Sequence, residues 1–165
     1  MYTDFFRIDL DAPGGYARVA DVTLLRQDGS LVHRAFKLMR HELKEKQVGM
    51  QRFENELKIL IEITSDKDAP PAITKVYDSG FVSAELSWDL HKLHKDEKIN
   101  PHHEFFSTGV EMESFLTMKS ALLEKEPNRW LPYLVVEVAP YHDSLFRQIQ
   151  PQYDGNLLNI DRLPV

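Results

Sequence analysis

The stretch Arg26-Gln27-Asp28-Gly29-Ser30 constrains this chain more than any other, because it lies between two apolar runs of similar length. Asp-Gly accepts the positive φ that a tight turn between antiparallel strands requires. Ala17 to Leu25, carrying Val19, Val22, Leu24 and Leu25, therefore reads as one strand, and Leu31 to Met39 as its antiparallel partner. Side chains alternate across a strand, so Ala35 and Lys37 point to one face while Phe36 and Leu38 point to the other. Upstream, Phe5 to Leu10 alternates apolar and polar residues and ends at Ala12-Pro13-Gly14-Gly15, which reads as an earlier strand running into a glycine turn.

From His41 to about Ile63 the apolar spacing changes to that of a helix. With Phe53 at 0° and about 100° per residue, Leu57 falls near 40°, Leu60 near −20° and Ile61 near 80°, an apolar stripe that packs on a sheet. On the same count Glu56 lies at about −60° and Glu54 at about 100°, so each flanks the stripe and periodicity does not choose between them. Thr64 to Pro71 ends the helix. Ala72 to Val82, broken by Asp78-Ser79-Gly80, reads as one or two short strands.

Residues 83 to 129 are the least patterned part, polar and rich in His and Lys as far as Glu111. Met112, Phe115, Leu116, Lys119, Leu122 and Leu123 then fall at helical spacing and predict a helix from about Val110 to Glu126, closed by Pro127. Trp130 to Ala139 is an apolar strand stopped by Pro140, and Asp143 is an N-cap type ahead of a last helix. His91, His94, His102 and His103 are metal-ligand types, but scattered histidines in a polar loop are more often solvated, and no metal site is assigned.

A chain of 165 residues, 42% hydrophobic, has the length and mix of one globular domain. It contains no cysteine, which excludes disulfides, thiolate nucleophiles and Cys-ligated zinc, so an apolar core must hold it together. The net charge of −6 argues against a general binder of nucleic acid or of anionic membranes. No apolar run approaches the ~20 residues of a membrane span, and the amino terminus has no signal-peptide pattern, so a cytoplasmic protein is expected.

The order of strand, glycine turn, strand, hairpin, strand with Lys37, helix, two strands and apolar strand resembles the amino-terminal, ATP-binding lobe of the eukaryotic-type Ser/Thr protein kinases. Their nucleotide-covering loop, Gly-x-Gly-x-x-Gly-x-Val, aligns with Ala12-Pro13-Gly14-Gly15-Tyr16-Ala17-Arg18-Val19, where only the middle glycine is kept. The resemblance implies that the backbone at Gly14 and Gly15 approaches phosphate oxygens, that Tyr16 is the aromatic tip of the loop, and that Val19 covers the base. Ala35-Phe36-Lys37 matches the family's Ala-x-Lys triplet, with Ala35 against adenine and Lys37 against the phosphates. It selects Glu56 over Glu54 as the partner of Lys37, makes Val136 the gatekeeper-like side chain, and assigns the adenine edge to the backbone of Glu137 and Ala139.

The implied fold is α+β: a five-stranded antiparallel sheet with one packed helix over residues 1–150, and a helical insertion at 83–129 between the fourth and fifth strands. Residues 151–165 would begin a connection to a second lobe. The family's catalytic Asp loop and its magnesium-binding Asp-Phe-Gly motif do not occur in this sequence, so the expectation is an inactive fragment of a longer kinase. ATP, with magnesium in the full-length parent, is the expected cofactor. A protein substrate would be held by the second lobe, and an apolar face near Val136 and Leu145 favours self-association. Two other readings are a pseudokinase-like interaction module and the lobe of a small-molecule kinase.

Overall fold

The hairpin forms where the sequence places it, joining β2 (Ala17–Arg26) to β3 (Leu31–Met39) in a register that pairs Leu25 with Leu31 and Ala17 with Met39. Gly29 takes a φ of 83°, and Asp28 Oδ1 accepts from the Ser30 amide at 2.9 Å and its hydroxyl at 2.6 Å, closing the turn with its own side chain. The computed structural model describes residues 2–13 (backbone), 15–41, 46–70, 74–86 and 103–137. Within them lie β1 (Tyr2–Pro13), α1 (Lys46–Ser65), β4 (Val76–Ser83), β5 (Phe105–Ser107), α2 (Met112–Lys125) and β6 (Trp130–Val136). The expected helix after Asp143, with Leu145, lies outside the described residues.

The fold is α+β, with an antiparallel sheet in the order β1-β2-β3-β6-β4-β5. Among the described residues the sheet has the five expected strands and one more. Five are long, and the sixth is the three-residue β5, which adds to the free edge of β4 from within the polar stretch. Strand β6, the last of the described strands, enters between β3 and β4. Its Pro132 lies beyond the last β3 rung, Leu38 with Tyr133, so the missing N–H removes no hydrogen bond to β3.

The sheet curls until its two edges, β1 and β5, come into contact. The face wrapped inside carries Val22, Leu24, Phe36, Leu38 and Tyr133, all with no exposed surface. Phe36 stacks on Tyr133 with ring centres 5.0 Å apart, and Phe105 of β5 meets both rings edge-on at 6.1 and 5.6 Å. Both helices pack on the opposite face. There α1 buries Met50, Phe53 and Leu57, and Phe115 of α2 stacks on Phe81 of β4 at 4.8 Å. Each such aromatic or aliphatic burial contributes about 1.5–3 kcal/mol. Among the described residues no helix is long and apolar enough to cross a membrane.

Strand β4 runs unbroken through Asp78-Ser79-Gly80, which the sequence reads as an interruption. The glycine serves close packing. A Cβ there would collide with the backbone carbonyl of Phe106 and come within 2.9 Å of the Tyr133 hydroxyl. We therefore expect Gly80→Ala to cost about 2–3 kcal/mol in urea unfolding, since backbone of β5 must move to admit the methyl group. Gly15→Ala, where a Cβ meets nothing within 4 Å, should change stability by less than about 1 kcal/mol.

Candidate functional site

Cross-strand register gathers the predicted residues on the helix-covered face. Val19 pairs with Lys37 and Lys37 with Leu134; two rungs along, and so on the same face, Asp21 pairs with Ala35 and Ala35 with Val136. Val19, Ala35, Lys37 and Val136 are thus near neighbours on one surface, with α1 at its side. Lys37 Nζ donates to both carboxylate oxygens of Glu56, at 2.6 and 2.8 Å, and the two side chains are only 21% and 29% exposed. Glu54 turns the other way. It is 8% exposed and ion-paired with Lys119 of α2, tying the two helices together. The two glutamates thus leave opposite flanks of the α1 stripe, and the seating of α1 on the sheet decides that Glu56 is the one that meets Lys37.

Tyr16 completes the cluster from the turn between β1 and β2. Its hydroxyl donates to Glu56 Oε2 and accepts from Lys37 Nζ at 3.3 Å, and the Lys37 ammonium lies 5.1 Å from the centre of its ring. Instead of standing at the tip of a loop, the side chain is half-buried and packs against the apolar core. The Tyr16 carbonyl accepts from the Arg40 amide at 2.9 Å, which holds the residue to the end of β3. Burial, and then the hydrogen bond it gives to the Glu56 carboxylate, raise its phenol above the ordinary value.

Other predicted positions stand apart. Gly15 is exposed, and Gly14 and Ala139 lie outside the described residues. The Glu137 amide donates to the Lys75 carbonyl at 3.1 Å, so that N–H is already engaged in holding the end of β6 to the segment before β4. His91, His94 and His102 also lie outside the described residues. Asp21 shares the Lys37 face but was not singled out; counting back from the Asp28-Gly29 turn opposes it to Ala35, so the signal was present.

A second polar cluster lies inside the sheet. Asp78, 5% exposed, accepts from the Tyr133 hydroxyl at 2.9 Å, the Ser107 hydroxyl at 2.6 Å and the Gly109 amide at 3.1 Å. Next to it, Ser79 Oγ donates to the Gly109 carbonyl at 2.7 Å and lies 2.9 Å from Thr108 Oγ1. Every partner named belongs to β6 or to the β5–α2 segment, so this cluster anchors that segment to β4. A separate cavity of about 600 Å³ between α1 and α2, lined by Met39, Met50, Leu123, Trp130, Lys46 and Lys119, includes none of Tyr16, Lys37 and Glu56.

Burial holds the Asp78 carboxyl above the ordinary carboxylate range in spite of its three donors. A raised folded pKa means that the native state keeps a proton which the unfolded chain has released. The resulting stability is full below about pH 4 and is lost as pH rises through the folded value. Asp78→Asn should therefore gain stability relative to the wild type as pH rises above about 4, followed by urea unfolding across pH. Asp78→Ala should lose about 2–3 kcal/mol, because the buried Tyr133 hydroxyl and two half-buried donors, the Ser107 hydroxyl and the Gly109 amide, lose their acceptor. No protein-family model matches the chain, and neither a curated protein nor a solved structure gives a significant match.

Proposed function

We propose that this chain is the nucleotide-binding lobe of a protein-kinase-type phosphotransferase, and that Lys37, aimed by Glu56, holds ATP phosphates for transfer to Ser or Thr hydroxyls in the full-length enzyme. The contact between Lys37 and Glu56 carries the reading. A strand lysine left alone on a cleft face swings freely, whereas one gripped by both oxygens of a helix carboxylate presents its charge in a set direction. The contact spans 19 residues of sequence and joins two elements, so local helix or strand geometry does not account for it.

The residues present suit the ligand. Val19, Ala35 and Val136 offer an apolar patch to a flat base beside a fixed ammonium, and the open space at Gly15 leaves room for phosphate near the turn. ATP would supply the transferable γ-phosphoryl group. This chain's part is to bind and orient it, since the sequence carries neither the catalytic Asp loop nor the Asp-Phe-Gly motif of the resemblance. The engagement of Lys37 by Tyr16 favours a second reading, a lobe that keeps this fold for protein contact and does not bind nucleotide.

Titration with ATP and magnesium, followed by amide NMR, separates the two. The first reading predicts weak binding, in the millimolar range (about −4 kcal/mol), with shifts confined to residues 12–19, Lys37 and the end of β6. Lys37→Met should abolish those shifts, and Glu56→Gln should weaken binding by about fivefold through loss of a charge-assisted hydrogen bond. An unchanged spectrum at 10-fold above the expected millimolar constant, about 10 mM nucleotide, would overturn the first reading.

A further inference from the structure

Helices α1 and α2 are joined by the ion pair of Glu54 with Lys119, and on the amino-terminal side of Glu54 they leave a space that neither fills. Lys46, Met50 and Gln51 line it from one face of the first turns of α1, and Lys119 and Leu123 from successive turns of α2. Its floor is made by the ends of β3 and β6, where Met39 and Trp130 are at most 4% exposed. The cavity measures about 600 Å³, within the roughly 300–1,000 Å³ of small-molecule sites.

The charge of the lining narrows the ligand. The chain has 26 acidic residues and a net charge of −6, yet none of the residues lining this cavity is acidic. Lys119 is neutralised by Glu54, whereas among the described residues Lys46 meets no carboxylate, and its partner is the neutral side-chain carbonyl of Asn128 at 3.3 Å. That bond uses one of three ammonium donors and offsets no charge. One uncompensated ammonium beside an apolar floor suits one negative charge on a hydrocarbon body, and the acidic chain around it disfavours a polyanion. We propose that the cavity between α1 and α2 binds an amphipathic monoanion, a medium-chain carboxylate whose chain lies on Met39, Met50 and Trp130 and whose head meets Lys46. The site shares no residue with Tyr16, Lys37 and Glu56, so it stands or falls independently of the nucleotide-binding reading.

NMR titration of the 165-residue chain with sodium octanoate and sodium decanoate, below their micelle-forming concentrations, tests the proposal. Saturable shifts are expected at the amides of 46–51 and 119–123 and at the Trp130 indole N–H. Decanoate should bind about tenfold more tightly than octanoate, because each further buried methylene contributes about fourfold. Lys46→Met, at a partly exposed position, should weaken octanoate by about fivefold and leave uncharged 1-octanol unchanged. Leu123→Trp, which fills the cavity from a half-buried position, should abolish binding of both carboxylates. Absence of saturable shifts with either carboxylate overturns the site. Octanol that binds as tightly as octanoate, with Lys46→Met without effect, shows an apolar cavity that does not recognise charge and overturns the ligand class. Shifts that persist unchanged in a folded Leu123→Trp put the carboxylate elsewhere and overturn the site as well.

Discussion

Strand β3 is the member on which the other parts depend, because its alternation serves two environments at once. Phe36 and Leu38 enter the curled interior, where Phe36 is stacked by Tyr133 and met edge-on by Phe105, while Ala35 and Lys37 face the helix side. A shift of one residue in its pairing would send the lysine into the apolar interior and Phe36 out of it. The register is held on one side by the Asp28-Gly29 turn and on the other by β6, so the position of Lys37 follows from core packing and not from the ion pair. Glu56 then orients a charge that the sheet has already placed.

The segment between β4 and β6 is part of the fold. It supplies β5, whose Phe105 closes the interior, and α2, whose Phe115 covers Phe81. It is fastened by two polar links of different character, the buried Asp78 cluster inside the sheet and the ion pair of Glu54 with Lys119 on the helix side. Removing one partner from such a link leaves a desolvated group unsatisfied, so these links specify geometry more than they add stability. The second link also bears on the site, because it braces α1 two residues from Glu56.

Tyr16 joins the glycine-containing turn to this assembly. Alanine stands near the end of β1, at 12, and at the start of β2, at 17, and the aromatic residue between the strands lies inward against Lys37 and Glu56. The same three residues thus form one hydrogen-bonded cluster that ties the turn before β2 to β3 and α1. The apolar neighbours Val19, Ala35 and Val136 are set by strand register and do not depend on where Tyr16 lies.

Much of this was legible in the sequence because it is local. Asp28-Gly29 implied the hairpin, alternation put Lys37 and Phe36 on opposite faces, and the spacing of Phe53 and Leu57 implied the buried stripe of α1. Helix α2 and strand β6 were likewise visible in their own residues. Tertiary structure alone decided the rest. It placed β6 between β3 and β4, added β5 from three residues too short to show a period, and kept β4 whole through Gly80 for the sake of a neighbouring carbonyl. It also sent Glu54 to Lys119, 65 residues away, and Tyr16 to Glu56, 40 residues away. Turn chemistry and side-chain period act over a few residues and are written in them, whereas these contacts exist only once the sheet has curled and both helices have settled on it.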